Sequence, residues 1–212
     1  MSRLCRFALI TLMSIVAAGA SSAPITYTIT SKLSRVNLSI EHQGFIQLSG
    51  TLKITPGSFV FDQQDWAKST VAVTLPTRTL DMGDALWNTQ LRGDTSWKAL
   101  FASEFITFRS TKLERSDATH GVLHGDLTLA GVTRPVTLQM RINKIGRNEV
   151  SEYPAIGITA TGSILRSQFG LDAYLDLVSD AMTVQIQMEA AQGVDVDAQQ
   201  EAIDNAKGVL RQ

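Results

Sequence analysis

Cysteine is almost missing from this sequence: Cys5 is the only one in 212 residues. An internal disulfide is therefore excluded, as are a cysteine metal site and a cysteine nucleophile in the body of the chain. A dominant charge is missing too. Nineteen Lys and Arg face 20 Asp and Glu, for a formal charge of -1, and phosphate-driven nucleic-acid binding needs a basic field that such a balance does not supply. The apolar run that follows Arg6, Phe7 to Ala20, is too short to span a bilayer, which takes about 20 residues. The chain has no internal repeat and no low-complexity segment, and with 44% hydrophobic residues it has the material for a folded core of one domain or two small ones.

The catalytic signatures are absent as well: no G-x-S-x-G elbow, no phosphate-cradling glycine loop, no HExxH and no calcium-loop pattern. His120 and His124 lie four apart in an expected strand, ~13 Å from each other at ~3.3 Å per residue, too far to share one metal ion. His42, in Glu41-His42-Gln43-Gly44, has no acidic partner that sequence spacing would assign to it. Asp172, Asp176 and Asp180 recur every four residues, but Gly170 and the intervening Leu-Val-Ser argue for a loop over an acidic helix face.

What is present begins with an address. Arg3 and Arg6 precede an uncharged run from Phe7 to Ala20, followed by the small residues Ala18 to Ala23. This is the pattern of a secretory signal peptide over residues 1–20, cut after Ala20 or Ala23, with an uncleaved anchor as the alternative. Cys5 precedes the apolar run, so a lipoprotein attachment site is not supported. The exported chain would then have no cysteine and would rely on its hydrophobic core alone.

Beyond the leader, alternation with period two dominates. Ile25, Tyr27 and Ile29 interleave with threonines. Val36, Leu38 and Ile40 do the same with polar residues, as do Val71, Val73 and Leu75; Ile106 and Phe108; Leu127 and Leu129; Val136, Leu138 and Met140; Ile156 and Ile158; and Val184, Ile186 and Met188. One apolar face per segment predicts antiparallel strands, buried on one side and wet on the other. Turns fall at Gly44, Pro56-Gly57, Ala130-Gly131 and Lys144–Asn148. Eight or nine strands with short links predict an all-β meander, closed as an up-and-down barrel or folded as a sandwich. An eight-stranded barrel is just wide enough to be filled by its side chains or to hold one slender ligand, and the pattern alone leaves both open.

Residues 77–103 break the alternation and are far longer than a hairpin link of about two to five residues. Asp94 is placed as an N-cap, and Trp97, Leu100 and Phe101 then fall on one face of a short helix. Met82, Leu86 and Trp87 suggest a similar turn before it. This segment is expected to close one barrel end, either as a permanent plug or as a lid. Arg166, alone among Ile164, Leu165 and Phe169, is expected either to pair with a carboxylate such as Asp172 or to meet an anionic head group. The spacing of Val196, Ile203, Val209 and Leu210 makes residues 193–212 a tail with, at most, a short helix.

These segments carry a family resemblance. Gly125-Asp-Leu-Thr-Leu-Ala-Gly-Val-Thr-Arg-Pro-Val136 resembles the signature hairpin of the YceI-like family of exported polyisoprenoid-binding proteins. Val36–Phe45, with Glu41-His42 before Gly44-Phe45, is similar to its early strand pair. Gly57–Asp62 followed by Ser69–Val73, then Arg166-Ser-Gln-Phe169-Gly170, then Val178–Glu189, match in order. The match covers roughly residues 25–191. One departure is Asn88-Thr-Gln90-Leu91-Arg92, where the family often has an acid and an imidazole.

The resemblance implies an extended, lipocalin-like, eight-stranded antiparallel barrel over residues 24–192 with a short helical insertion around residues 80–102. It implies a periplasmic binding protein with no enzymatic activity. The ligand would be a long-chain isoprenoid or related lipid, such as a quinone tail, a polyprenyl phosphate or a fatty amide, held without covalent attachment for transport or storage. The expected lining is Val36, Leu38, Ile40, Phe45, Val71, Val73, Ile106, Phe108, Leu127, Leu129, Val136, Leu138, Ile158 and Phe169, with Leu86, Trp87, Trp97 and Phe101 from the lid and Arg166 and His42 as head-group candidates. Partners would be the lipid-like molecule and, transiently, a membrane or a membrane redox protein; nucleic acid and metal are not expected. The alternatives are an exported interaction module with a filled core, and a hydrolase-type enzyme using His42 with a carboxylate.

Overall fold

A computed structural model describes residues 23–195, 197–199 and 201; the expected signal peptide and most of the expected tail lie outside the described residues. Ten β segments form one closed antiparallel sheet. β1 (Ile25–Ile29) and β2 (Arg35–His42) run in the same direction along one edge of β10 (Val178–Gln192), with Ile29 opposite Ala190 and Arg35 opposite Gln187. They are one strand broken at residues 30–34. β3 (Ile46–Lys53) and β4 (Ser58–Phe61) pair with β2 and β1 in turn, and form a second strand broken at residues 54–57.

The remaining strands are β5 (Thr70–Pro76), β6 (Phe105–Arg115), β7 (His120–Leu129), β8 (Val132–Arg147) and β9 (Pro154–Leu165). Each pairs with its neighbours in sequence, and β10 returns to β1. The result is the expected up-and-down barrel, eight strands around. The ring closes through β1, β4 and β10, while β3 pairs with β2 alone along its length and otherwise only at Thr51, with Asp81.

The breaks are hydrogen-bonded, as buried backbone requires. Ser34 is fully buried; its Oγ donates to the Thr30 carbonyl at 2.9 Å and accepts from the Glu189 N–H at 3.2 Å. The Ile29 N–H donates across the second break to the Gly57 carbonyl at 2.8 Å.

Alternation places the core inside the ring. β7 buries Gly121, Leu123, Gly125, Leu127 and Leu129 and turns the residues between them outward. Gly125 is required there: a Cβ at this position would meet the Phe108 ring and come within 2.5 Å of the Arg109 carbonyl oxygen. β7 and β8 are joined by Ala130 (φ 51) and Gly131 (φ 79) alone, the two-residue hairpin whose positive φ values match the twist of the strands. The expected turn at Lys144–Asn148 lies a few residues later. β8 continues to Arg147, and Asn148 builds the turn by accepting from the Val150 and Ser151 N–H groups.

The two barrel ends differ. Where β4 leads into β5, Trp66 is buried, edge-on to Phe61 at 5.5 Å, with the Arg115 guanidinium over its ring; it closes that end. The other end is covered by the expected insertion. This carries a 3₁₀ turn at Thr77–Thr79, α1 (Ala85–Gly93), a 3₁₀ turn at Thr95–Trp97 and α2 (Lys98–Ala102). Asp84 caps α1 by accepting from Trp87 N–H, and Asp94 accepts from Ser96 N–H, as its N-cap placement predicts. A bridge between Thr51 and Asp81 roots the insertion on β3. Gly50 makes this close approach possible, because a Cβ there would lie 2.6 Å from Met82 Sδ.

Candidate binding tunnel

Two cavities follow one another along the barrel axis. The larger, about 390 Å³, lies beneath the helical insertion, and the smaller, about 110 Å³, lies toward Trp66. The larger alone falls within the range of about 300–1,000 Å³ typical of small-molecule pockets. Val36, Leu75, Leu127, Ile164 and Val184 line both. Together they form a waist between two chambers of one apolar tunnel.

The expected lining divides between the chambers. Val36, Leu38, Ile40, Ile106, Leu127 and Leu129 lie in the larger one, with Trp87, Trp97, His42 and Arg166 toward its mouth. Val71, Val73, Phe108, Val136, Leu138 and Ile158 lie in the smaller one, which Val36 and Leu127 also reach. Four residues sit elsewhere. Phe45 is 83% exposed, because the Gln43–Phe45 turn carries it past the rim of the wall. Leu86 faces solvent: Trp87, Gln90, Leu91 and Asp94 hold the inner face of α1 at i, i+3, i+4 and i+7, and Leu86 is turned about 100° from Trp87. Phe101 packs against the core, while Leu100, one residue earlier, reaches the cavity wall. Phe169 is buried in the core behind the wall, rolled inward by the 3₁₀ turn Arg166–Phe169.

Arg166 takes a role that neither expectation named. Its side chain is buried, and among the described residues no carboxylate lies within ion-pair distance of it. Instead Nε donates to the Ser179 carbonyl, Nη1 to those of Leu171 and Ala173, and Nη2 to that of Val178, at 2.6–2.9 Å. One guanidinium thus gathers the whole loop 171–179. Burial pulls its pKa below the ordinary value, and the fields of Asp180 and Asp172 oppose that. Asp180 is itself engaged by the Ser167 N–H and hydroxyl at 2.8 and 2.7 Å.

The insertion is tied to this loop. Tyr174 donates its hydroxyl to Asp94 Oδ2 at 3.1 Å and lies 6.5 Å from the Trp97 ring, which in turn covers the Arg166 guanidinium at 5.3 Å. The Asp94 carboxyl is held below the usual carboxylate range, first by Ser96, through its N–H and hydroxyl, and then by Tyr174. Tyr174 lies in irregular backbone at φ 55, where no periodicity marks it. Among the further lining residues missing from the expectation, Ile164 and Val184 share the phase of the recognised strands and were legible from it.

His120 and His124 are surface residues on one face of β7. His120 meets Asp117 at 2.9 Å and His124 meets Glu114 at 3.3 Å.

A model of the YceI-like domain matches residues 27–190. The chain belongs to the YceI-like family. A UPF0312 protein of Enterobacter sp. (strain 638) is 35% identical over 159 residues, 74% of this YceI-like chain and 80% of that protein. Burkholderia cenocepacia BcnA shares the fold with a TM-score of 0.66 at 19% identity, over 77% of this chain and 99% of that one. A polyisoprenoid-binding domain from Saccharophagus degradans, implicated in plant cell wall breakdown, shares it with a TM-score of 0.57 at 12% identity, over 79% and 99%. Within the insertion's stretch Asn88–Arg92, Gln90 and Leu91 belong to the tunnel wall. Asn88 bonds within the insertion to Met82 N–H and Asp81, and Arg92 donates to the Leu80 carbonyl at 2.8 Å.

Proposed function

We propose that this YceI-like protein is exported to the periplasm and binds a long-chain isoprenoid or related lipid, without covalent attachment, for transport or storage. The observation that carries the reading is the tunnel: two apolar chambers in line within a closed barrel, joined at a waist of five aliphatic side chains. Such a shape suits a slender hydrocarbon chain. The hydrophobic gain is about 0.8 kcal/mol per buried CH₂, so length converts into affinity without any reactive group. The polyisoprenoid-binding domain of the same fold supports the ligand class.

A binder is favoured over a hydrolase by what surrounds the polar groups at the mouth. Arg166 holds four carbonyls, Asp94 holds a cap and Tyr174, and the neighbour of His42 is the Gln43 amide at 3.4 Å. A filled core is disfavoured by the open volume.

Mass spectrometry of an organic extract of protein purified from the periplasm tests the ligand. A stoichiometric long-chain lipid is expected, and an extract free of apolar ligand, together with no uptake of added lipid, would refute the reading. N-terminal sequencing of the same material is expected to begin at Ser21 or Pro24; a start at Met1 or Ser2 would refute export with cleavage.

A further inference from the structure

We infer that the tunnel selects lipids whose polar end is uncharged, such as an alcohol, a quinone or phenol ring or an amide, over those that end in phosphate or pyrophosphate. This rests on the lipid-binding reading above and narrows its ligand class.

A phosphate at the mouth needs free donors and positive charge, best supplied as a guanidinium fork. The residues lining the larger chamber include two with a fixed charge, Arg166 and Asp94. Arg166 is the only cation of the two, and four of its N–H groups already point at loop carbonyls. With at most one of a guanidinium's five donors left, and with Trp97 over its face, it has no fork to offer. Turning it toward a ligand would strip the carbonyls of Leu171, Ala173, Val178 and Ser179 together. Asp94 presents the opposite sign, and its carboxylate is fixed in place by Ser96 and Tyr174.

The remaining polar groups on that wall are of another kind. The Thr77 hydroxyl donates to the Ser103 and Glu104 carbonyls. Gln90 and His42 are left as an amide and an imidazole, each able to donate or accept. Such groups meet a hydroxyl or carbonyl well, and neither brings a fixed positive charge to an anion. The other basic residues of the insertion, Arg78, Arg92 and Lys98, lie outside the cavity wall, and Arg92 is engaged by backbone carbonyls.

The test is a matched pair of probes, geranylgeraniol and geranylgeranyl phosphate, titrated into the delipidated mature protein at low ionic strength. Binding is followed by tryptophan fluorescence, since Trp87 and Trp97 flank the mouth, and by calorimetry. The alcohol is expected to bind about tenfold more tightly or better. Gln90→Lys and Asp94→Asn are each expected to shrink the ratio of the two dissociation constants severalfold, the first by adding a cation and the second by removing an anion. A phosphate that binds as tightly as the alcohol overturns the selectivity and leaves the lipid-binding reading standing. A ratio unmoved in both variants overturns its electrostatic basis. If neither probe binds, the lipid-binding reading itself falls, and this inference with it.

Discussion

Replacing Arg166 by Met removes the donor that four carbonyls share and leaves a side chain of similar reach. The Leu171 carbonyl belongs to a buried residue, and leaving a buried acceptor unsatisfied costs about 1–3 kcal/mol. Ala173, Val178 and Ser179 are partly exposed, so water can replace the lost donor and each bond costs about 0.5–1 kcal/mol. Bonds to one guanidinium are not independent, and we take about 3–5 kcal/mol for the whole. For a domain of this size 1 kcal/mol is worth about 2–4 °C, which puts the loss in melting temperature at about 6–20 °C. Arg166→Lys separates charge from geometry: an ammonium has one point of attachment and cannot span the loop in a plane, so it should recover less than half of the loss. Paired urea and thermal melts give both numbers. Arg166→Met melting within 2–3 °C of the parent, or a Lys variant fully restored, would show that the carbonyl hub does not hold the loop. A stable Met variant that loses an anionic ligand would instead make Arg166 a head-group contact and would count against the selectivity argued above.

The hairpin and the waist give sharper tests. Gly125→Ala forces a Cβ into the Phe108 ring and the Arg109 carbonyl and is expected to cost several kcal/mol or prevent folding. Gly131→Ala meets nothing within 4 Å and should cost only about 1 kcal/mol of strain at positive φ; equal losses in urea melts would refute the distinction. Val184→Phe puts a ring into the waist. Excluding even two methylenes of a long ligand costs about 1.6 kcal/mol, roughly fifteenfold in affinity. Geraniol, short enough for the larger chamber, should be affected far less than geranylgeraniol, and parallel losses for the two would show that the chambers are not filled in series. Asp117 accepts from the Thr119 and His120 N–H groups, which lower its pKa to about 2. Its stabilising effect is therefore present above the ordinary carboxylate pKa and is lost as pH falls toward 2. Carboxyl NMR should place the midpoint near 2 in the parent, and Asp117→Asn should flatten the acid limb of stability; a midpoint at the ordinary 3.8 would refute the assignment.

The strands were legible because a barrel wall asks one thing of the chain, an apolar residue at every second place. β7 and β10 meet that demand along nearly their whole length, and the Ala130-Gly131 pair announces its own turn. The reading fails where the wall stops making that demand. The last residues of β8 are largely exposed, so nothing there distinguished a strand from the turn expected at Lys144. The break at residues 30–34 rests on Ser34, a polar residue buried by backbone partners. Backbone carbonyls have no letter in a sequence, which is also why the sequence offers Arg166 only a carboxylate or an anionic head group as partner. Phe45 is out of phase with Val36, Leu38 and Ile40; it entered the expected lining through the family resemblance, and the alternation itself leaves it off the wall. In the insertion, helical spacing located Trp87 and Trp97 on the tunnel; it did not separate Leu100 from Phe101, which differ by one step around a single turn.

The ring is closed by its own two ends. Tyr27 lies opposite Gln192, so the seam joins the first strand to the last, and no partial chain can make it. A ribosome or an export channel releasing the chain from its N-terminus delivers a curled sheet with two open edges until β10 emerges. Those edges are the templates on which chains pair with one another. The same adjacency gives a way around the problem. A short linker from the end of β10 to the start of β1, with new ends cut between Ala130 and Gly131, would keep every strand pairing of the ring while moving the last-made seam to the tightest hairpin in the molecule.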